Sequence, residues 1–336
     1  MKNTTQSLNR ISALSSLDFP SPGASVLTMC DLLLVAIRPA VYRGLFVAAL
    51  CLLVFGNLRS AHAAAPDGSE AAQPERVVSL DYCADQYVLQ FVAAKNILAL
   101  SPEAVAEFSY YRDRAGRFPS VRPIVEDVLS LKPDLVVRSY GGGYGMVDVL
   151  RQLDVPVVQI GYASTLVEVQ QTVLLVSAAL GASRAGQILV ASLERRLQQI
   201  AAASAHKTAE SALYMTPTGV TAGPGTLIHD ILLAAGFRNF EDKPGWRALP
   251  LERLVYAGPD VVARAFYQSD FGHRDRWSAA AHPVTQRQLA AAQQIPLEGA
   301  WTSCGAWFLM DAVEALHGSR MGVAVPPTAA EGSRQP

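Results

Sequence analysis

Net charge and metal-ligating clusters are what this chain has least of. Across 336 residues the formal net charge is −1, and only 17% of residues are charged. Nothing in that balance points to a nucleic-acid partner, which would call for a basic field. Beyond the first sixty-odd residues the histidines are scattered (His206, His229, His273, His282, His317), with no His-x-His pair and no run of carboxylates at ligand spacing. No protein-held metal is therefore expected, and no cofactor. The glycine triplet Gly141-Gly142-Gly143 lacks both a following Lys-Ser/Thr and a Gly-x-Gly-x-x-Gly frame, so it reads as a close backbone approach and not as a phosphate loop. Cysteine is sparse as well. Of four, Cys30 and Cys51 fall in the N-terminal region, which leaves Cys83 and Cys304.

The N-terminal region reads as a leader. Arg38 and Arg43 precede the apolar run Gly44–Phe55, too short for a comfortable membrane span, and Ser60-Ala61-His62-Ala63 has the small-x-small form of a cleavage site. Residues 1–63 are expected to be an extension plus signal peptide, cut after Ala63, with export to the periplasm. Residues 1–28 precede a second possible start at Met29. Half of all residues are hydrophobic, enough for a substantial core in the remaining chain. Two cysteines in an oxidising compartment make a disulfide the default pairing.

What is present in force is a repeat. The segment Glu126–Val137, with Leu131-Lys132-Pro133-Asp134 inside it, is answered by Glu252–Val262, with Ala257-Gly258-Pro259-Asp260. In both, a Glu opens a short amphipathic helix, a Pro stops it seven residues later, and an Asp leads into a β-branched run that suits a buried strand. Two copies imply two similar lobes, and two lobes imply a cleft. Strand-like runs at 77–80, 97–100, 135–138 and 155–160 alternate with helical patterns, and the alternation resumes at 212–215, 261–263 and 295–297. That is the signature of doubly wound parallel sheets. Between Thr165 and Ala203 no strand interrupts. The second helix there carries an apolar stripe of Ile188, Leu189, Leu193, Leu197 and Ile200. The expected organisation is an N-terminal lobe over 64–182, a connecting helix over 183–205, a C-terminal lobe over 206–320 and a disordered tail over 321–336.

In their order along the chain, Arg76-Val77-Val78-Ser79-Leu80, the Glu126–Val137 block, Leu153-Asp154-Val155-Pro156-Val157-Val158, the 165–181 helix, Gly223–Phe240 and Leu251–Val262 resemble a known class. It is that of the periplasmic substrate-binding proteins serving iron-chelate (siderophore) and vitamin B12 ABC importers. The resemblance implies an α/β fold of two Rossmann-like three-layer lobes with mainly parallel sheets, joined by one long rigid helix. It implies a monomer that is not an enzyme, with no catalytic residue, that delivers a small-molecule metal chelate to an ABC permease dimer in the inner membrane. A ferric siderophore is the first expectation, with a corrinoid or haem next. The resemblance also assigns Glu126 and Glu252 to permease docking.

Ligands of open α/β sheets sit beyond the carboxyl ends of the strands. Loops at those positions are rich in rings and guanidiniums, with Arg138 and Arg264 nearby. The expected ligand-binding residues are Tyr82, Tyr110, Tyr111, Arg112, Tyr140, Tyr144, Trp246, Arg247, Tyr267 and Trp301. Such a lining suits a large, partly planar anion. Cys83 and Cys304 lie on post-strand loops of different lobes, either bonded across the cleft, or as two thiols touching the ligand, or as an unpaired redox couple. The last option carries the competing reading, a periplasmic thiol/redox or hydrolytic enzyme, although no His adjoins either cysteine in sequence.

Overall fold

The computed structural model describes residues 73–266 and 278–322. The leader with its cleavage site, Cys30, Cys51, Tyr267, His273 and the tail from 323 lie outside them.

The chain alternates as expected. The first lobe runs β1 (Val77–Ser79), α1 (Tyr82–Phe91), β2 (Ile97–Ala99), α2 (Val125–Ser130), β3 (Leu135–Arg138), α3 (Met146–Gln152), β4 (Val157–Gln159) and α4 (Leu166–Ala179). Its sheet has the order β2-β1-β3-β4, parallel throughout. Then comes α5 (Ser183–Ser204), 22 residues and so about 33 Å long. The second lobe runs β5 (Ser211–Met215), β6 (Val220–Ala222), α6 (Leu227–Ala234), β7 (Arg238–Asn239), β8 (Trp246–Ala248), α7 (Leu251–Tyr256), β9 (Val261–Phe266), α8 (Pro283–Ala291), β10 (Gln293–Glu298) and α9 (Leu309–Arg320). Its main sheet, β10-β9-β5-β7, is again parallel, and β6 and β8 form a separate antiparallel pair.

The two copies of the repeat do the same structural job. Asp134, at the entry to β3, accepts the amides of Glu75 and Arg76 at 2.7 and 3.0 Å, just ahead of β1. Asp260, at the entry to β9, accepts the amide and hydroxyl of Ser211, both at 2.7 Å, at the start of β5. Each carboxylate thus ties the repeat's strand to the first strand of its lobe and sets the parallel register, Val77 against Leu135 and Ala212 against Val261. The Ser211 hydroxyl holds the Asp260 carboxyl below its usual range.

Side-chain caps open α1, α4 and α6. Asp81 accepts the Ala84 amide, Thr165 that of Glu168 and Thr226 that of His229. On α5 the buried stripe is Gly186, Val190, Leu193 and Ile200, flanked by partly buried Leu189 and Leu197. Ile188, expected on that stripe, is 61% exposed. Gly186 is required where α5 crosses α4: a Cβ there would lie 1.9 Å from the Ser177 hydroxyl oxygen.

Each sheet has a private core on one face. Val78, Leu80, Val136 and Leu150 belong to the first, and Leu213, Phe240, Leu254 and Val262 to the second. The other faces share a single core that runs from Val77, Tyr87 and Val137 through α4, α5 and α6 to Tyr214, Ala263, Ile295 and Leu316. The lobes are therefore joined by packing as well as by the helix. The last helix starts at Leu309, three residues later than its apolar pattern suggests, because 299–308 is spent on a short 3₁₀ turn and an irregular segment.

Candidate functional site

On the N-terminal lobe the strand-end loops are organised by the first turns of α1. Asp81 is 1% exposed. Besides capping α1, its carboxylate accepts the amides of Ser139, Tyr140 and Gly141 at 2.7, 3.0 and 2.9 Å and the Ser139 hydroxyl at 2.7 Å. This explains the glycine triplet. Its loop is an anion-binding nest of backbone amides whose anion is built in, so those amides are not free for a phosphate. A Cβ on Gly141 would lie 2.1 Å from the Leu80 carbonyl oxygen, the close approach read from the sequence. One turn further on, buried Asp85 accepts the Ser101 amide at 3.0 Å and its hydroxyl at 2.6 Å, pinning the loop after β2. Burial pushes the Asp85 carboxyl up to about 6 against the lowering effect of Ser101. Gln86 completes the set, donating to the Ser109 hydroxyl and accepting the Tyr111 amide, both at 2.8 Å.

Above this base Tyr140 is half exposed and donates its hydroxyl to Glu103 at 2.8 Å. Burial and that hydrogen bond raise its pKa, so it stands as a neutral phenol. The ring of Tyr82 meets Tyr140 edge-on at 5.8 Å and Phe108 at 4.6 Å. Tyr144 is fully exposed.

Several expected ligand residues are engaged by other protein groups, Tyr110 and Arg112 across the lobes. Tyr110 stacks on Phe308 with centroids 4.4 Å apart and donates to Asp311 at 2.7 Å. Tyr111 is half-buried and donates to Gln90. Arg112 pairs with Glu298 at 2.8 Å, the two side chains only 22% and 16% exposed. Trp301 packs against the shared core. The two cysteines form a disulfide, Cys83 to Cys304. Trp307, Phe308 and Asp311, which receive these groups, were not singled out from sequence. They read as the opening of an ordinary amphipathic helix.

The second lobe presents Trp246 and Arg247 from β8. Trp246 is 51% exposed with its ring edge-on to Tyr214 at 6.1 Å. The Arg247 guanidinium lies 4.0 Å from Glu241, a carboxylate 2% exposed. Arg264, at the end of β9, is exposed and has no ion-pair partner among the described residues. Arg138 on the first lobe donates to the Tyr140 carbonyl at 3.1 Å. Among the described residues no three His, Cys, Asp or Glu side chains converge to hold a metal ion.

Outside the loops, Glu126 on α2 and Glu252 on α7 are both exposed. Each has an arginine close in sequence that is engaged elsewhere. Arg122 pairs with Asp127 at 2.6 Å, and Arg253 pairs with Asp242 at 2.9 Å while lying over the Phe240 ring. Neither glutamate has a hydrogen-bond or ion-pair partner among the described residues.

Comparisons with known proteins agree with this architecture. The profile of a family described as periplasmic binding protein matches residues 77–271, more than half of the chain. An uncharacterized ABC transporter substrate-binding lipoprotein, YvrC, of Bacillus subtilis (strain 168) is 25% identical over 256 residues, 67% of this chain and 80% of the relative. Among solved structures, the periplasmic heme-binding protein RhuT from Roseiflexus sp. RS-1 superposes with a TM-score of 0.58 at 21% identity, covering 73% of this chain and 98% of that one. A periplasmic heme-binding protein from Pseudomonas aeruginosa gives 0.60 at 21%, covering 76% and 95%. The periplasmic vitamin B12 binding protein BtuF of Vibrio cholerae gives 0.55 at 21%, covering 73% and 95%.

Proposed function

The chain belongs to the periplasmic binding protein family, as a substrate-binding component of an ABC transporter and not an enzyme, and we propose that it captures a metal tetrapyrrole in the cleft between its lobes. The observation that carries this reading is the division of labour among the arginines. Four were expected near a large, partly planar anion. Arg112 is committed to Glu298, Arg247 lies 4.0 Å from the buried Glu241 carboxylate and Arg138 donates to a carbonyl, which leaves Arg264 without an ion-pair partner among the described residues. One unpaired, exposed guanidinium together with exposed rings (Tyr140, Tyr144, Trp246) suits a large planar ligand of low charge better than a tris-catecholate siderophore. Relatives titled heme-binding and vitamin B12 binding are in keeping with that class.

Thermal shift tests it. Haemin or cyanocobalamin should raise the melting temperature while ferric siderophores leave it unchanged. A shift with siderophores alone returns the ligand to that class, and no shift with any of them removes the chelate reading.

Delivery is proposed to run through Glu126 and Glu252, exposed carboxylates at matched places in the repeat that suit a pair of basic sites on a permease dimer. Replacing both with Lys should abolish permease ATPase stimulation without changing ligand affinity; intact stimulation would remove the docking role. Export is proposed to use the N-terminal leader with cleavage after Ala63, which N-terminal sequencing of the exported protein checks.

A further inference from the structure

The segment that follows β10 leaves its own lobe and lodges in the other. Cys304 is bonded to Cys83 on the first turn of α1. On either side of it, the carbonyls of Ser303 and Gly305 accept the hydroxyls of Tyr82 at 3.2 Å and Tyr87 at 2.9 Å, and the Ser303 hydroxyl donates to the Phe108 carbonyl at 2.8 Å. Trp307 then meets the edges of Tyr87 and Phe91 at 5.3 and 5.8 Å. Phe308, 1% exposed, stacks on Tyr110. The Arg112–Glu298 pair closes the outer side of this seam.

A single connection between two lobes leaves them free to bend about it. A second, covalent one, added to the core that the lobes already share, limits that bending, and the side chains packed around it oppose rotation about the line joining the two attachments. Here the first attachment is α5 and the second is the disulfide, whose Cα atoms are 5.6 Å apart. We infer that the Cys83–Cys304 bond is an inter-lobe latch that holds the cleft at one gape, so that the ligand meets a surface formed before it arrives. Selection is then by shape, with no ordering cost on binding. The inference relies on the tetrapyrrole reading only for what enters the cleft.

Pulsed dipolar EPR decides it. Nitroxides attached through p-acetylphenylalanine at Ser130 and Tyr256, one exposed position per lobe, leave both cysteines untouched. The oxidised chain should give one narrow distance distribution that moves by less than about 1 Å when haemin or cyanocobalamin is added. The chain with Cys83→Ser and Cys304→Ser should give a broader one. A distribution already broad in the oxidised chain, a ligand-induced shift beyond about 2 Å, or a serine chain as narrow as the native one would each overturn the latch. If the serine chain does not fold, Cys83→Ala with Cys304→Val refills the buried site and takes its place. If neither probe binds, the tetrapyrrole reading fails while the comparison of widths still decides the latch.

Discussion

Two groups of aromatic residues, those buried between the lobes and those exposed at the strand-end loops, differ in how their polar atoms are satisfied. At the inner seam every phenol and guanidinium has a protein partner: Tyr82 with Ser303, Tyr87 with Gly305, Tyr110 with Asp311, Arg112 with Glu298. At the mouth Tyr140 donates to Glu103 and Arg247 lies 4.0 Å from Glu241, but the exposed side chains of Tyr144 and Trp246 have no hydrogen bond and Arg264 has no ion-pair partner among the described residues. Rings close the seam against water. At the mouth they are left for something else to cover. A buried polar group without a partner costs roughly 1–3 kcal/mol, so pairing marks the surface that is permanent. On the proposed reading, the exposed side chains without a partner mark the one that a ligand covers.

The sharpest way to break this comparison is to cut the seam. The disulfide closes a loop with a sequence separation of 221. On chain-entropy grounds its removal by Cys83→Ser and Cys304→Ser costs about 5 kcal/mol, measurable by denaturant unfolding; a loss below about 1 kcal/mol would mean that the noncovalent seam suffices. Next in size is Phe308→Ala, which opens a cavity opposite Tyr110 and should cost about 3–5 kcal/mol. The control at the mouth, Tyr144→Ala, should stay within about 0.5 kcal/mol.

A pH-dependent term comes from beneath the mouth. Because the Asp85 carboxyl is held at about 6 in the folded chain, it keeps its proton there between about pH 4 and 6, where the unfolded chain has released it. The folded state therefore loses relative stability as pH rises through that window, by at most about 3 kcal/mol, and the difference is level above it. Relative to Asp85→Asn, the native chain should lose up to about 3 kcal/mol between pH 4 and 6; parallel curves would contradict it. A small stability effect, within about 1 kcal/mol, is also expected for Trp246→Ala, since half of the ring already faces solvent.

How much of this was readable in advance depends on the range of the interaction. The repeat was legible because Glu-to-Pro spacing and the Asp before a β-branched run are local, and the structure gives Asp134 and Asp260 equivalent roles. The long helix was legible from its period, apart from Ile188, whose apolar side chain faces outward. The β6–β8 pair was missed because Val220-Thr221-Ala222 and Trp246-Arg247-Ala248 are too short to show alternation and meet across an intervening helix and strand. The seam was hidden for a stronger reason. No period in sequence connects Tyr110 to Phe308 or Arg112 to Glu298, and an aromatic loop beyond a strand reads the same whether it faces a ligand or the neighbouring lobe. Asp81 and Asp85 were not singled out from sequence, although they hold two of the strand-end loops.

The central claim is that the mouth, and not the seam, is the ligand surface. Haemin titration followed by tryptophan quenching and absorbance tests it on two variants of opposite placement. Trp246→Ala should weaken binding at least about tenfold, equivalent to about 1.4 kcal/mol, while Tyr110→Phe, which keeps the stacked ring and loses only the hydrogen bond to Asp311, should leave affinity unchanged. Weakened binding in Tyr110→Phe with native affinity in Trp246→Ala would contradict the account.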